Sequence, residues 1–394
     1  MNRSAIQQSG AMRAVMEAIE VKGPNVLLVL MLLLISLGLI MMTSASVEIA
    51  SSQYGDPFFF AKRQLLFVFV AMVGVIFTLH IPMYLWYTYS RSLLVISLVL
   101  LALVLVPGIG KVVNGSARWI DLGFYTLQPS EMAKIFMVVY LAAFLHRRGD
   151  EVHSSWMGFI KPMLILAAMV ALLHFEPDHG AMVIMVAATF GLLFLAGARL
   201  YRFLLILFLG LAALVAVAVT KPYVIDRLTS FMNPWAAEYV YGDGYQLTQA
   251  LIAFGRGEWF GVGLGNSIQK LYFLPEAHTD FVVAIVAEEL GLVGVMLVLG
   301  LFSALIFRAL LIGRRAEKSG KLFLAYTAYG IAILFASQVF INIGVNTGLL
   351  PTKGLTLPFL SYGGNSLLVS CFMVALLVRI HYELDADYQF GGEE

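Results

Sequence analysis

Charge is scarce in this chain and cysteine almost absent. Only 12% of the 394 residues are Asp, Glu, Lys or Arg, against 60% hydrophobic. A soluble domain carries about 25% charge, so this surface cannot be one that faces water throughout. A soluble, a disordered and a nucleic-acid-binding protein are all excluded. Cys371 is the single cysteine and sits in an apolar run, which excludes an internal disulfide and a cysteine-based metal centre. A nucleotide loop is missing too, because Gly261-Val262-Gly263-Leu264-Gly265 has the wrong spacing and no strand before it. The net charge of +1 names no partner, since in a membrane the sidedness of charge matters more than its sum.

What the chain has is long apolar runs. They lie near 25–43, 64–80, 92–107, 129–145, 161–175, 180–198, 202–220, 281–307, 323–347 and 357–380, each meeting or approaching the roughly 20 residues that cross a bilayer. Glu176-Pro177-Asp178-His179-Gly180 splits the fifth from the sixth as a tight hairpin. The expectation is an all-α polytopic membrane protein with about ten transmembrane helices. Residues 1–24 form an N-terminal tail, 25–382 the membrane domain and 383–394 a C-terminal tail. Fifteen of the 25 Lys and Arg fall on the side of the two ends, nine on the other, and Lys134 within a span; the ends are therefore expected in the cytoplasm. One connection is long, about 221–279 between helices 7 and 8. Its aromatics and its Leu247–Phe254 segment argue for an ordered extracytoplasmic cap rather than a disordered loop.

Leu274-Pro275-Glu276-Ala277-His278-Thr279-Asp280 leads directly into the eighth span. Two roles are open to Asp280: a cap for the helix, or a base that takes a proton from a bound hydroxyl. Ala284, Ala287 and Gly291 follow on its face of the helix, giving either close packing or a groove. Glu288 and Glu289 lie about 12 Å deeper, where unpaired charge is expensive, so pairing within the bundle is expected, as for Glu131 with Lys134. On the outer side Arg118-Trp119, Lys353, Arg227, Arg256 and Lys270 suit a polyanion such as a lipid diphosphate. Glu176 and Asp178 are weak candidates for a divalent cation, Mg or Mn, bridging such a diphosphate. Gln338, Asn342 and Asn346 form a polar stripe explained by interhelical hydrogen bonds. The Pro- and Gly-broken stretch from Leu357 to Ser366 suits a cleft wall.

These motifs resemble the SEDS family of bacterial cell-wall proteins. The resemblance runs from about 26 to about 382. It is carried by Phe58–Arg63, Ser116–Asp121, Leu274–Asp280, Ala287–Gly291, Pro351–Pro358 and Ser361-Tyr362-Gly363-Gly364. Tyr245–Gln249, Phe254–Glu258 and Gly265–Lys270 are more similar to the cell-division branch than to the elongation branch. The resemblance implies a ten-helix peptidoglycan glycosyltransferase that polymerises lipid II at the septum, in the bacterial inner membrane. Asp280 would be the essential acid, deprotonating the acceptor 4-hydroxyl while undecaprenyl diphosphate leaves. Arg118, Lys353 and either Arg256 or Lys270 would hold diphosphates, with Trp119, Glu276, His278 and Ser361 as further substrate contacts. No certain cofactor is implied. The implied partners are a class B penicillin-binding protein, the FtsQ–FtsL–FtsB complex and FtsN. A lipid II flippase and a non-catalytic division scaffold are the alternatives. Glu176 departs from the family's usual Gln before Pro-Asp, and Asn365 from its usual Ser.

Overall fold

The computed structural model describes residues 25–390, apart from 114, 115, 124, 207, 209, 211–228, 230, 352 and 353. Apolar sequence with few breakers makes long helices: α1 spans Asn25–Tyr54 and α2 Phe59–His80. A short α3 (Met83–Thr88) leads into α4 (Ser90–Val104). Pro129 at the first helical position opens α5 (Pro129–Ser154), where its missing N–H costs nothing. Then come α6 (Trp156–Phe175), α7 (His179–Leu195), α8 (Tyr245–Gly257), α9 (Val282–Lys318), α10 (Leu322–Asn346) and α11 (Gly364–Phe390). Among the described residues, α1, α2, α6, α9, α10 and α11 are long and apolar enough to cross a membrane, and α4 and α7 are shorter apolar helices. This is a helical, multi-pass membrane protein.

Every expected span except the seventh falls on one of these helices. The seventh, 202–220, lies largely outside the described residues, as do the expected N-terminal tail, Arg227 and Lys353. Two boundaries differ. The last span starts at Gly364 rather than near 357, because Pro358 and the left-handed Phe359 (φ 64°) keep the preceding stretch irregular. It also runs on to Phe390, past residue 382. There Arg379 and Glu383 pair at 2.9 Å, and Arg315 from the end of α9 meets Asp385 at 2.6 Å.

The purely α expectation needs one correction. After α4 the chain forms an antiparallel three-stranded sheet, β1 (Gly110–Val113), β2 (Ser116–Asp121) and β3 (Thr126–Leu127), in the order β1-β2-β3. Lys111 stands opposite Trp119, and Ile120 opposite Leu127. This small sheet shortens the third span and carries Arg118 to the site.

The core centres on α5, which packs on α4, α6, α7, α10 and α11. Its residues from Ile135 to Val139 and Leu141 to Leu145 are buried. That enclosure explains how a helix carrying Glu131 and Lys134 sits inside the bundle: the two pair at 2.8 Å.

α9 is two helices joined at Gly291, whose φ of 68° and ψ of −166° no other residue tolerates well. The break frees backbone groups that the 257–263 segment takes up. Val262 N–H donates to the Glu288 carbonyl at 2.9 Å and Gly263 N–H to that of Glu289 at 3.1 Å. Leu292 N–H donates to Glu258 O at 2.9 Å and Val293 N–H to Trp259 O at 3.1 Å. Irregular backbone inside a membrane protein is tolerated where other protein groups satisfy it. Gly257 presses on the Ala287 carbonyl, so the small face of Ala284 and Ala287 is close packing, not a groove.

Candidate active site

Asp280 sits two residues before α9, but it does not cap that helix through its side chain. The N-cap position is Phe281, which has no side-chain acceptor. Asn346 of α10 supplies one instead, its Oδ1 accepting the Ala284 N–H at 3.2 Å. The Asp280 main-chain carbonyl accepts from Asn342 Nδ2 at 3.0 Å and Asn346 Nδ2 at 3.1 Å. Asn342 and Asn346 of the polar stripe thus bond to neighbouring segments, whereas Gln338 Oε1 is buried with no hydrogen-bond partner among the described residues. Upstream, Glu276 takes a left-handed φ of 55°, and its carbonyl gathers the N–H groups of Thr279, Asp280 and Phe281. Thr279 Oγ1 donates to Glu276 Oε2 at 2.6 Å.

The Asp280 carboxylate has no hydrogen-bond partner among the described residues and lines a cavity of about 500 Å³. Arg63, Arg118, Trp119, Asp178 and Glu276 line it too, with Gly354–Thr356 and Tyr362–Ser366 forming a further wall. Gly354 lies so close that a Cβ there would come within 2.6 Å of Asp280 Oδ2. Burial, with the negative charge of Glu276 adding to it, pushes the Asp280 carboxyl up to about 7, against the opposing pull of Arg118. An acid of that kind is divided between its two protonation states near neutral pH and suits proton transfer.

Arg118, on β2, is anchored through the hairpin between α6 and α7. Its Nη2 donates to the Pro177 carbonyl at 2.5 Å and its Nε to that of Glu176 at 3.4 Å. Arg63, from the second span, brings another guanidinium to the cavity. In the sequence Arg63 closes the Phe58–Arg63 motif, and its signal as a site residue is a basic pair, Lys62-Arg63, on the side poor in positive charge.

The structure does not bring all the expected binding residues together. Arg256 pairs with Glu288 at 2.7 Å and Lys270 with Glu289 at 2.8 Å, and neither lines the Asp280 cavity. They neutralise the two acids of α9, which also accept from Ser267, Ile268 N–H, Gln269 N–H and Ser44. Ser361 is buried and its Oγ accepts the Leu357 N–H at 2.8 Å, which holds the turn before α11. His278 packs its ring on Phe60 and Tyr362, and its carbonyl accepts the Tyr362 N–H at 2.8 Å. Burial shifts its imidazole below the ordinary range, favouring the neutral form.

Asp178 caps α7 through the Ala181 N–H at 3.2 Å and accepts from Ser130 Oγ at 2.8 Å and Gln128 Nε2 at 3.4 Å. Glu176 is fully buried, and among the described residues neither carboxylate oxygen has a hydrogen-bond partner. Its burial, helped by Asp178, pushes the carboxyl up to about 8, so it is mostly neutral at pH 7, a near match for the amide usual in the resembled family. Among the described residues no three His, Cys, Asp or Glu side chains converge, and Asp178 is already engaged, so these two acids fit a divalent ion poorly. Asn365, the other departure, accepts from Tyr125 Oη at 2.5 Å and Gln128 N–H at 3.1 Å and donates to Thr126 O at 2.8 Å. It ties β3 to the start of α11.

A family model described as a cell cycle protein, covering FtsW, RodA and SpoVE, matches residues 24–386. The chain is 53% identical over 352 residues to a probable peptidoglycan glycosyltransferase FtsW of Coxiella burnetii, spanning 89% of this chain and 94% of that one. It is 51% identical to the protein of the same description from Hahella chejuensis, spanning 92% and 91%. Among solved structures, a chain from work on polymerization and crosslinking by a peptidoglycan synthase complex superposes with TM-score 0.75 at 28% identity, covering 91% of this chain and 97% of that one. The rod shape determining protein RodA of Thermus thermophilus gives TM-score 0.66 at 28% identity, covering 91% and 96%. With the model spanning nearly the whole length and half the residues shared with such relatives, the chain belongs to the SEDS family of cell cycle proteins.

Proposed function

We propose that this chain is a peptidoglycan glycosyltransferase that polymerises lipid II, with Asp280 as its general base. One observation carries the reading: a carboxylate released from helix capping faces a cavity that also holds two guanidinium groups. The acceptor 4-hydroxyl of a lipid II N-acetylglucosamine gives its proton to Asp280 as its oxygen bonds to the donor sugar's anomeric carbon. The bond from that carbon to undecaprenyl diphosphate breaks with inversion, and the electron pair leaves on the diphosphate. Arg118 and Arg63, with Lys353 of the outer connection, offset the charge that builds there. Trp119 and Glu276 complete the substrate wall.

The full architecture under this proposal is ten spans in a 25–382 membrane domain. Both ends face the cytoplasm, and the connection between helices 7 and 8 lies outside the inner membrane. One structural neighbour comes from work on the coordination of polymerization and crosslinking by a peptidoglycan synthase complex, which supports a class B penicillin-binding protein as partner. The FtsQ–FtsL–FtsB complex, FtsN and enrichment at the septum follow from the resemblance. A transporter reading loses its motive, because Glu131, Glu288 and Glu289 each have a cationic partner. The test is lipid II polymerisation by wild type and Asp280→Ala, each with and without the transpeptidase. A glycan ladder from wild type alone supports the proposal; a ladder from the alanine variant overturns it.

A further inference from the structure

We propose that Asn342 and Asn346 of α10 are positioning residues for the base, freeing the Asp280 carboxylate by doing the capping that an aspartate in this place would otherwise do. The inference rests on the glycosyltransferase reading and concerns residues that touch no substrate.

The first N–H groups of a helix have no partner within it, and Asp is among the side chains that fill that need best. Asp280 is near enough in sequence to do so, yet Asn346 Oδ1 holds the Ala284 N–H while its own Nδ2 holds the Asp280 carbonyl. One amide therefore gives the first turn of α9 its side-chain cap, sharing the Ala284 N–H with the Phe281 carbonyl at 3.0 Å, and fixes the backbone of the base. Asn342 adds a second restraint. Its Nδ2 donates to the Asp280 carbonyl at 3.0 Å and to the Leu355 carbonyl at 2.6 Å, and Leu355 follows the glycine that abuts the Asp280 carboxylate. The two segments flanking that carboxylate are thus clamped to one rigid helix. The two amides are linked as well, Asn346 Nδ2 donating to the Asn342 carbonyl at 2.9 Å, and both side chains are buried. General-base geometry is sensitive to misplacement of about 1 Å, so a buried clamp on the base's own peptide belongs to the reaction's machinery.

Removing the Asn346 amide takes from the Ala284 N–H its side-chain acceptor, leaving the Phe281 carbonyl at 3.0 Å, and opens that place to the Asp280 carboxylate two residues before the helix. A carboxylate that accepts a backbone N–H is favoured in its charged form. The acid limb of the rate profile, set by Asp280, then moves to lower pH while the rate falls, because the base is turned away from the cavity. The other charged groups on the cavity are unchanged by the substitution: Glu276 from the same loop, Arg63 from α2, Arg118 from β2, Glu131 from α5 and Asp178 from the α6–α7 hairpin. Asn346→Asp keeps the acceptor for Ala284 and places a carboxylate beside Asp280, so it moves the limb the other way, to higher pH.

The experiment measures lipid II polymerisation from pH 5 to 9 for the full chain with its transpeptidase partner. It compares wild type, Asn346→Ala, Asn346→Asp, Asn342→Ala and Asp280→Ala, each first checked for folding by thermal denaturation in detergent. We expect kcat to fall about tenfold or more in Asn346→Ala and Asn342→Ala, with KM for lipid II changed less than twofold. The limb is expected lower in Asn346→Ala and higher in Asn346→Asp. If a folded Asn346→Ala keeps the wild-type rate, or loses rate with the limb unmoved while Asn346→Asp also leaves it unmoved, the positioning role is wrong. If Asn346→Ala does not fold, the direction of the Asn346→Asp shift decides. An active Asp280→Ala instead removes the base assignment itself, a failure separate from that of the asparagines.

Discussion

At the scale of single residues, the proposed base Asp280 combines a raised carboxyl with a side chain that has no hydrogen-bond partner among the described residues. Its carboxyl is raised to about 7 by burial first and by Glu276 second, while Arg118 lowers it. A base works in its deprotonated form, so polymerisation should rise with pH through about 7 and fall about tenfold per unit well below it. Glu276→Gln removes a negative neighbour and should shift this limb to lower pH, whereas Arg118→Gln removes a positive one and should shift it higher. A pH–rate profile of each variant checks both directions. Glu176 gives a stability prediction. Its folded-state value of about 8 lies above the ordinary 4.5. The native protein then holds a proton that the unfolded chain has lost, and stability declines as pH rises from about 4.5 to 8. Glu176→Gln should flatten that decline and raise stability at pH 8 by on the order of 2 kcal/mol, measured by thermal denaturation at pH 6 and 8. Asp280 was legible as an acid at a helix mouth. That its carboxylate is free was not, because the group relieving it, Asn346, lies 66 residues away and forms a contact that only folding creates.

At the scale of elements, the apolar runs were legible because each helix must bury its own backbone bonds in lipid. The small sheet was not, although Asn114-Gly115 between two runs rich in β-branched and aromatic residues is a hairpin signal. The need of Glu288 and Glu289 for partners is legible, but their cationic partners come from the outer connection folding back, while the first span contributes Ser44. That refolding depends on glycines where backbone meets backbone. Gly261 adopts a φ of 78° and lies against the Glu289 carbonyl, so Gly261→Ala combines strain with a clash and should cost about 2–4 kcal/mol. The check is the loss of thermal stability in detergent, expected to exceed that of Gly255→Ala, a helical position where a Cβ meets nothing within 4 Å.

At the scale of the whole molecule, the order of elements brings a strand, a helix, the α6–α7 hairpin and the stretches before α9 and α11 to a single cavity. β2 delivers Arg118, α2 Arg63, and the turn before α9 the base, while the stretch before α11 and the α6–α7 hairpin close the walls. The family was legible from ordered motifs, whereas the division of cations between the cavity and the α9 acids was not, since all lie on the same side in sequence. Sidedness can be read directly. Tyr241 is 89% exposed and the sole native cysteine, Cys371, is buried. Tyr241→Cys in intact spheroplasts should therefore react with a membrane-impermeant maleimide from outside, and protection would contradict the orientation.

In the proposed reaction the Asp280 carboxylate accepts the sugar's proton. Asp280→Asn keeps the shape and the main-chain clamp but removes the basic oxygen, and the decisive measurement is its rate of lipid II polymerisation beside wild type, with the transpeptidase present and lipid II binding measured in parallel. The account predicts binding within a few-fold of wild type and a rate lowered by about 10²–10⁴; a glycan ladder formed at near the wild-type rate would contradict it.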